Sequence, residues 1–550
     1  MNWIDKAVNV VAPIHGMKRM AARKTIDILG DKYKNTGYSE GGASYSKKSL
    51  KGFTDISASP SLDIEANQRT LINRSRILYM NAPIASAAIK TTRTNVVGSG
   101  LKLKSRIDYE FLGMTEEEAE QWEGKIEREF DLWADTKQCD ALRLNNFYDM
   151  QGLILLGQLM NGDGFCLMKY KEPTKFMPYG LRLQLIEADR VCTPYQMATA
   201  LGNSWMPFWG LNPENGNEIY SGVEIDKDGG VVAYWICNQY PYALTSYTFT
   251  SPEWTRVDAY GKVTGRQNII HLFEAERAEQ RRGVPMLAPV IEAIKQLTRY
   301  TDAELMAAVI SGMFTVFVKS SGPSSELPLG EGIPGDAVPI DHDDSQYELG
   351  NGAVVTLAPN ESIELADPKR PNTAFDAFIT SLCRYIGASL EIPQELLLKS
   401  FTASYSASRA ALLEAWKMFR MRREWLSTGF CQPVYELFLA EAVANGRIKA
   451  PGFFKDPIIQ KAWCGADWNG PAPGMLDPTK EVDAAQSRVE NGFSTREEET
   501  IGLTGGDFIK NAKQLKRENK LLEEAGGLIN NSKRAMKKDG GKDGQSDETV

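Results

Sequence analysis

Three histidines in 550 residues, His15, His271 and His342, set the first limit on what chemistry this chain can do. They are scattered. A Ser-His-Asp triad needs its members to meet in space, and nothing local in the sequence announces one. His342-Asp343-Asp344 offers ligand types for a cation, yet a single histidine in an acidic run reads as solvated surface. Glu274, Glu276, Asp302 and Glu304 are the carboxylates that a two-metal nuclease would use, but their spacing around a long helical stretch reads as surface charge. Gly98-Ser-Gly100-Leu-Lys lacks the spacing of a phosphate-binding loop. Seven cysteines (Cys139, Cys166, Cys192, Cys237, Cys383, Cys431, Cys464) form no CxxC pair, which predicts reduced thiols in a cytoplasmic setting. The sequence thus predicts no catalytic residue, no metal site and no cofactor.

Charge narrows the partners. A net charge of -8 argues against a dedicated nucleic-acid binder, which carries a basic patch; it leaves room for a surface that faces DNA without gripping it. The charge is uneven. Between Lys319 and Lys369 there is no lysine or arginine but a net of -10, carried in part by Glu331, Asp336, Asp341, Asp343, Asp344 and Glu348. Residues 1–52 hold ten Lys/Arg against four Asp/Glu. Each segment reads either as solvated chain or as a surface that docks an oppositely charged partner and repels a like-charged one.

The elements that position these residues centre on 276–320. The pattern predicts one helix of about 25 residues, about 37 Å long, with Pro285 and Pro289 near its start. Leu287, Val290, Ile291, Ile294, Leu297, Leu305, Val309 and Ile310 form an apolar stripe, and Glu292, Lys295, Arg299 and Asp302 a polar one; these charges rule out a membrane span. A second helix over 372–390 returns with Phe375, Phe378, Ile379, Leu382 and Ile386 on one face. The acidic segment, with GAVVTLA as a strand, is therefore a projection between two helices. A Ser/Thr/Ala loop over 398–408 follows, then a long helix that Pro433 interrupts.

Upstream, helices begin at Asp63, break at Asn81-Ala82-Pro83 and end at Gly98-Ser-Gly100. LKLKSR reads as a strand, Thr115 to Glu118 as a capping box, and 146–160 as a helix ended by Gly162-Asp163-Gly164. Residues 181–273 are β-rich, with a hairpin turn at Asp228-Gly229-Gly230 and aromatic, proline-rich loops around 205–209 and 240–254 as insertions. The C-terminal part is helical, with Phe508, Leu515 and Leu522 at seven-residue steps, and its tail from Asn530 has nothing to bury. The N-terminus is a basic arm with a short amphipathic helix and too brief an apolar run for a signal peptide.

Several stretches together resemble one family. They are Asn73-Arg-Ser-Arg76 with Met80-Asn-Ala-Pro83, Asn95-Val-Val-Gly98-Ser-Gly100, Ile186-Glu-Ala-Asp189, and Gly222-Val-Glu-Ile-Asp226 with Val232-Ala-Tyr234. Further on come His271-Leu-Phe with Arg281-Arg-Gly-Val-Pro285, Ser404-Tyr-Ser-Ala-Ser-Arg-Ala-Ala411, Phe430-Cys-Gln-Pro-Val-Tyr435 and Leu476-Asp-Pro-Thr-Lys-Glu481. In this order, over about 65–505, the chain resembles the lambda-type family of tailed-bacteriophage portal proteins.

That resemblance implies an α+β portal fold and a non-enzymatic ring, a dodecamer, at one capsid vertex of the virion, assembled in the host bacterial cytoplasm. It assigns 1–60 to a flexible arm, 61–284 to a wing, 285–318 to the first stem helix, 319–370 to an acidic clip and 371–397 to the second stem helix. The channel loop is 398–408, the kinked helix and return to the wing 409–474, the crown 475–527 and the disordered tail 528–550. Double-stranded DNA passes through without sequence specificity. The terminase large subunit and then a head-tail adaptor dock on the clip at Glu331, Asp336, Asp341, Asp343, Asp344 and Glu348, and the major capsid or scaffolding protein surrounds the ring; no membrane is involved. The regions 195–218 and 238–262 are longer than the family pattern, and the arm matches it weakly.

The implied channel makes physical sense. Each fixed phosphate contact adds affinity by counterion release, so a sliding duplex needs few of them. An acidic mouth and the loop residues Lys399, Ser400, Phe401, Thr402 and Tyr405, with Arg409 behind, meet that need. Phe401 and Tyr405 either press on the duplex or pack between subunits, and the Glu292/Lys295/Arg299/Asp302 stripe faces either subunit seams or the channel. Two other classes compete: a scaffold or adaptor protein that docks basic partners through the acidic module without enclosing DNA, and a metal-dependent DNA-processing enzyme.

Overall fold

The computed structural model describes residues 57–201, 204–241, 251–312, 316–320, 361–365, 374–401, 404–475 and 477–524, with Lys18, Ala22, 42–44 and 47–53 before them. The chain divides into two units, Met1–Ser59 and Pro60–Val550. In the first, a single 3-10 turn, Lys48–Leu50, is described. The clip residues Glu331, Asp336, Asp341, Asp343, Asp344 and Glu348, the GAVVTLA segment, Thr402 and the tail from residue 525 all lie outside the described residues.

The second unit opens with a π-helical turn, Ser61–Glu65, that runs into α1 (Ala66–Asn81). Pro83 then starts α2 (Pro83–Val96) at the position where its missing N–H is harmless. Gly98 and Gly100, both at positive φ, turn the chain out into strand β1 (Lys102–Ser105). After the short α3 (Tyr109–Leu112), α4 (Glu116–Ala134) begins on the anticipated capping box: Thr115 Oγ1 accepts from the Glu118 N–H, and the Glu118 carboxylate accepts from the Thr115 N–H. Asn146 caps α5 (Phe147–Asn161) by accepting from the Asp149 N–H at 2.8 Å, and Gly162 closes it in the left-handed conformation. The buried faces of α4 and α5 meet the C-terminal half of the kinked helix in an aromatic core. Phe130 contacts Phe147, Tyr435 and Phe438 with ring centroids 5.6, 5.8 and 5.2 Å apart.

Two sheets follow. Strands β2 (Gly164–Tyr170) and β3 (Leu181–Ile186) are antiparallel neighbours in a three-stranded sheet whose other edge is Ile269–Leu272. Between them lies a six-stranded antiparallel meander: β4 (Ala198–Leu201), β5 (Ser204–Leu211), β6 (Glu218–Tyr220), β7 (Val223–Ile225), β8 (Val231–Cys237) and β9 (Trp254–Asp258). This corrects the reading of 205–209 and 254 as loop insertions: the first lies inside β5 and Trp254 starts β9. Prolines and bulky aromatics obscured the alternation there. The 228–230 turn is as anticipated, with the Asp226 carboxylate accepting from the Gly230 N–H at 2.7 Å. Glu224 is fully buried in β7 and accepts from Arg256 Nε at 2.8 Å and Trp235 Nε1 at 3.0 Å. Burial alone would raise its pKa; Arg256, Asn215 and Asn217 outweigh that and hold it at about 2.

Ile269–Leu272 is β10. The long helix comes next and, with the 3-10 turn that leads into it, is close to the length the sequence suggested. A 3-10 turn, Ala288–Val290, precedes α6 (Ile291–Gly312), and Val316–Ser320 is strand β11, so the span assigned to the first stem helix (285–318) ends in sheet. β11 pairs antiparallel with β12 (Glu361–Leu365); its Val-Phe-Val run of β-formers explains the switch. The return is α7 (Phe375–Ser389), close to the expected 372–390, and Ile392-Pro393 separates it from a short helix, α8 (Gln394–Leu398), inside the span 371–397 assigned to the second stem helix. α9 (Tyr405–Leu426) passes through a π-helical stretch, Ser427–Cys431, into α10 (Gln432–Ala444). The irregularity precedes Pro433, which sits in the first turn of α10, where proline is tolerated. α11 (Pro457–Trp463) leads to β13 (Ala466–Asn469), which pairs with β1, and α12 (Pro478–Glu490), α13 (Arg496–Thr504) and α14 (Phe508–Glu524) complete the chain.

Candidate stem and channel site

α6 and α7 form an antiparallel-strand-linked pair whose lower turns are rooted in the main core. Leu287, Val290, Ile294 and Leu297 are buried with Cys383, Ile386 and Leu390. Farther along, Tyr300 lies 5.8 Å from Phe375 and 4.8 Å from Phe378, ring to ring. Beyond that, the apolar stripe loses its cover. Leu305 is 65% exposed, Met306 58% and Val309 46%, with Phe378 and Tyr385 exposed on the return helix. The sequence reading of a strut packed along one side holds for the lower turns only.

The polar stripe Glu292, Lys295, Arg299 and Asp302 is exposed, as its period suggested. Glu292 accepts from Gln296 Nε2 at 3.1 Å. The structure brings Glu292, Lys295 and Arg299 together with Arg74, Ile77 and Asn81 of α1 in a groove of about 640 Å³; Asp302 lies outside it.

The channel-loop candidates separate into two places. Lys399 takes a left-handed backbone (φ 53°) as the cap of α8, its N–H bonded to the Glu395 carbonyl. Lys399 and Ser400 are exposed, and Phe401 is 52% exposed. Tyr405 is the first residue of α9. Arg409, one turn later, instead faces the C-terminal helices: it lines a groove with Leu412, Trp416 and Glu481 and lies close enough to Asp477 to help lower its pKa, behind the hydrogen bonds from Lys480.

Sequence reasoning missed a buried polar knot at the foot of α6. Asp163 is fully buried and accepts from Arg282 Nε (2.8 Å), His271 Nε2 (2.9 Å), Gln68 Nε2 (2.8 Å) and the Gly283 N–H (2.6 Å). Burial would raise the Asp163 pKa, but Arg282 first, then His271 and Gly283, hold it below the ordinary carboxylate value. Burial keeps His271 below its own ordinary value against the pull of Asp163, so it is a neutral donor, stacked between Phe165 and Phe273 at 4.2 and 4.5 Å. The glycines flanking Asp163 and following Arg282 were the available signal.

Two motif stretches also meet across the fold: Arg76 of α1 is paired with Glu187 and, at 2.5 Å, with Asp189, while its Nε donates to Asn161 at 2.8 Å. The order of these elements and motifs has a counterpart. The family described as phage portal protein, lambda family, matches residues 46–423, well over half of the chain. The chain belongs to the lambda family of phage portal proteins.

Relatives agree along most of the length. The portal protein of Escherichia phage N15 is 24% identical over 510 residues, covering 89% of this chain and 91% of that protein. Portal protein B of Escherichia phage lambda is 24% identical over 508 residues, with 89% and 90% covered. Among solved structures, the neck of a native gene transfer agent particle computed with C12 symmetry matches with a TM-score of 0.41 and 12% identity, over 80% of this chain and 93% of that one.

This portal protein is thus a virion component of a tailed phage. Among the described residues no helix is long and apolar enough to cross a membrane, and no group of three or more His, Cys, Asp or Glu side chains could hold a metal ion. All seven cysteines are free and buried, and burial pushes the Cys139, Cys192 and Cys464 thiols up to about 12, which suppresses the reactive thiolate.

Proposed function

We propose that twelve copies of this chain close into a ring at one capsid vertex, with double-stranded DNA passing along its axis during packaging and ejection. The observation that carries this reading is the family match over residues 46–423, which spans the residues expected to form the wing and both stem helices and most of α9. In this reading the protein is a conduit and a dock rather than a catalyst. The acidic segment between β11 and β12 receives the terminase large subunit and later a head-tail adaptor, and the major capsid or scaffolding protein meets the outside of the ring in the host cytoplasm. Lys399, Ser400, Phe401, Thr402 and Tyr405 form the channel loop. Exposure of Lys399 and Phe401 supports a loop free to touch a passing duplex. Arg409 acts one step back, at the junction with the crown.

Electron microscopy of the purified protein is the direct test: rings with an axial hole are expected, and discrete small particles at every concentration would overturn the reading. Within rings, a Lys399→Glu, Phe401→Ala variant is expected to lose packaging or retention of DNA. Unchanged packaging and retention would remove 398–408 from the channel.

A further inference from the structure

Where the chain turns from the wing into the stem, two glycines touch backbone to backbone. A Cβ on Gly283 would lie 1.9 Å from the Gly162 carbonyl oxygen, and one on Gly162 would lie 2.4 Å from the Gly283 carbonyl carbon. Asp163 ties this crossing to α1, to β10 and to the Arg282-Gly283 turn through the hydrogen bonds from Gln68, His271, Arg282 and Gly283. Arg282 extends the tie into the β unit, donating to the carbonyls of Val191 (2.8 Å), Ser221 (2.5 Å) and Ala188 (3.0 Å). The Met286 N–H donates to the Leu159 carbonyl at 3.0 Å, fastening the start of the stem to the end of α5.

Glu65 sits on the π-helical turn three residues before Gln68, and it is only 4% exposed. Neither of its carboxyl oxygens accepts a hydrogen bond of good geometry, and the Arg281 main-chain N–H offers a weak contact. The charged groups around it are Arg282 and Arg281 of the stem turn and Asp163 of the α5–β2 connection, with the Tyr220 phenol of β6 also within electrostatic reach. On its own turn Asp63 is directed elsewhere, to Arg277.

We propose that this crossing is a proton-operated latch at the root of the stem, closed when Glu65 is neutral and loosened when Glu65 ionises. An ionised carboxylate here is cut off from water, has only the weak Arg281 N–H contact and lies near the negative Asp163, so opening the crossing is what solvates it. Burial pushes the Glu65 carboxyl from 4.5 up to about 7, with Arg282 opposing and Asp163 adding to the rise. The sign follows. Closed-state stability is full below the solvated value of 4.5, and it is lost as pH rises to the buried value of about 7. Between about pH 6 and about pH 8 the open fraction therefore rises about tenfold.

Hydrogen–deuterium exchange on the full chain, corrected for the intrinsic pH dependence, tests this in peptides covering 281–290. The expected result is about tenfold lower protection at about pH 8 than at about pH 6, with β8 peptides unchanged. Glu65→Gln, which stays neutral, is expected to abolish the difference, and Asp63→Asn is expected to keep it. Protection at 281–290 that ignores pH, a Glu65→Gln variant that keeps the tenfold change, or β8 loosening in step would each overturn the latch.

Discussion

Asp163 is the residue on which the foot of the stem depends. Four donors from three parts of the chain converge on one carboxylate with no exposure to water, and two of them, Arg282 and His271, are themselves almost fully buried. Removing the charge leaves the Arg282 guanidinium buried without its counterion, which costs more than the pair itself contributes. Asp163→Asn is therefore expected to lose about 3–5 kcal/mol in urea unfolding. A loss below about 1 kcal/mol would mean that the three carbonyls around Arg282 satisfy it without Asp163. Beyond its flanking glycines, nothing in the sequence weighted Asp163 above any other aspartate, because its partners lie 95 to 120 positions away. The two motifs Asn73-Arg-Ser-Arg76 and Ile186-Glu-Ala-Asp189 were legible as resemblances, but their pairing through Arg76 and Asp189 was not.

At the scale of elements, local chemistry was readable wherever a cap or turn acts within a few residues. Thr115 with Glu118, Asn146, Gly162 and the 226–230 turn all stand where the pattern placed them. Reading failed where the strand partner is distant in sequence: the β-forming 316–320 pairs with 361–365, and 205–209 is a strand within a meander that supplies both neighbours. Glycines show the same division. Gly113 has positive φ and open space around its missing Cβ, whereas a Cβ on Gly283 would lie 1.9 Å from the Gly162 carbonyl oxygen. Gly113→Ala is expected to cost about 1 kcal/mol. Gly283→Ala is expected to cost more than about 4 kcal/mol, seen as loss of soluble folded protein. Equal costs in a chemical melt would show that the crossing can spread apart cheaply.

For the whole molecule, the uncovered upper half of the stem is the informative surface. Leu305 and Val309 continue the buried stripe of Leu287, Val290, Ile294 and Leu297, and together with the neighbouring Met306 they meet solvent in the isolated chain. In the proposed ring this band is expected to face the next copy. Because these side chains are exposed in one chain, Leu305→Lys with Met306→Lys is expected to change the unfolding free energy of the monomer by less than about 0.5 kcal/mol per site. Assembly is expected to fail, with sedimentation showing monomers in place of rings. Rings of normal size from the double variant would place the seam elsewhere.

The sequence by itself determined the family, most of the order of the elements, the caps and turns, and a polar stripe along a long helix. These rest on spacing within about one or two helical turns, or on ordered motifs, and both survive in a linear reading. Only the tertiary structure decided which part of the apolar stripe of α6 is covered and that Arg409 lines a groove with Glu481. It alone showed that Asp163, His271, Arg282 and Glu65 share one buried place. The physical reason is the same in each case: burial and charge compensation depend on what packs against a residue from a distant part of the chain, and no local period encodes that.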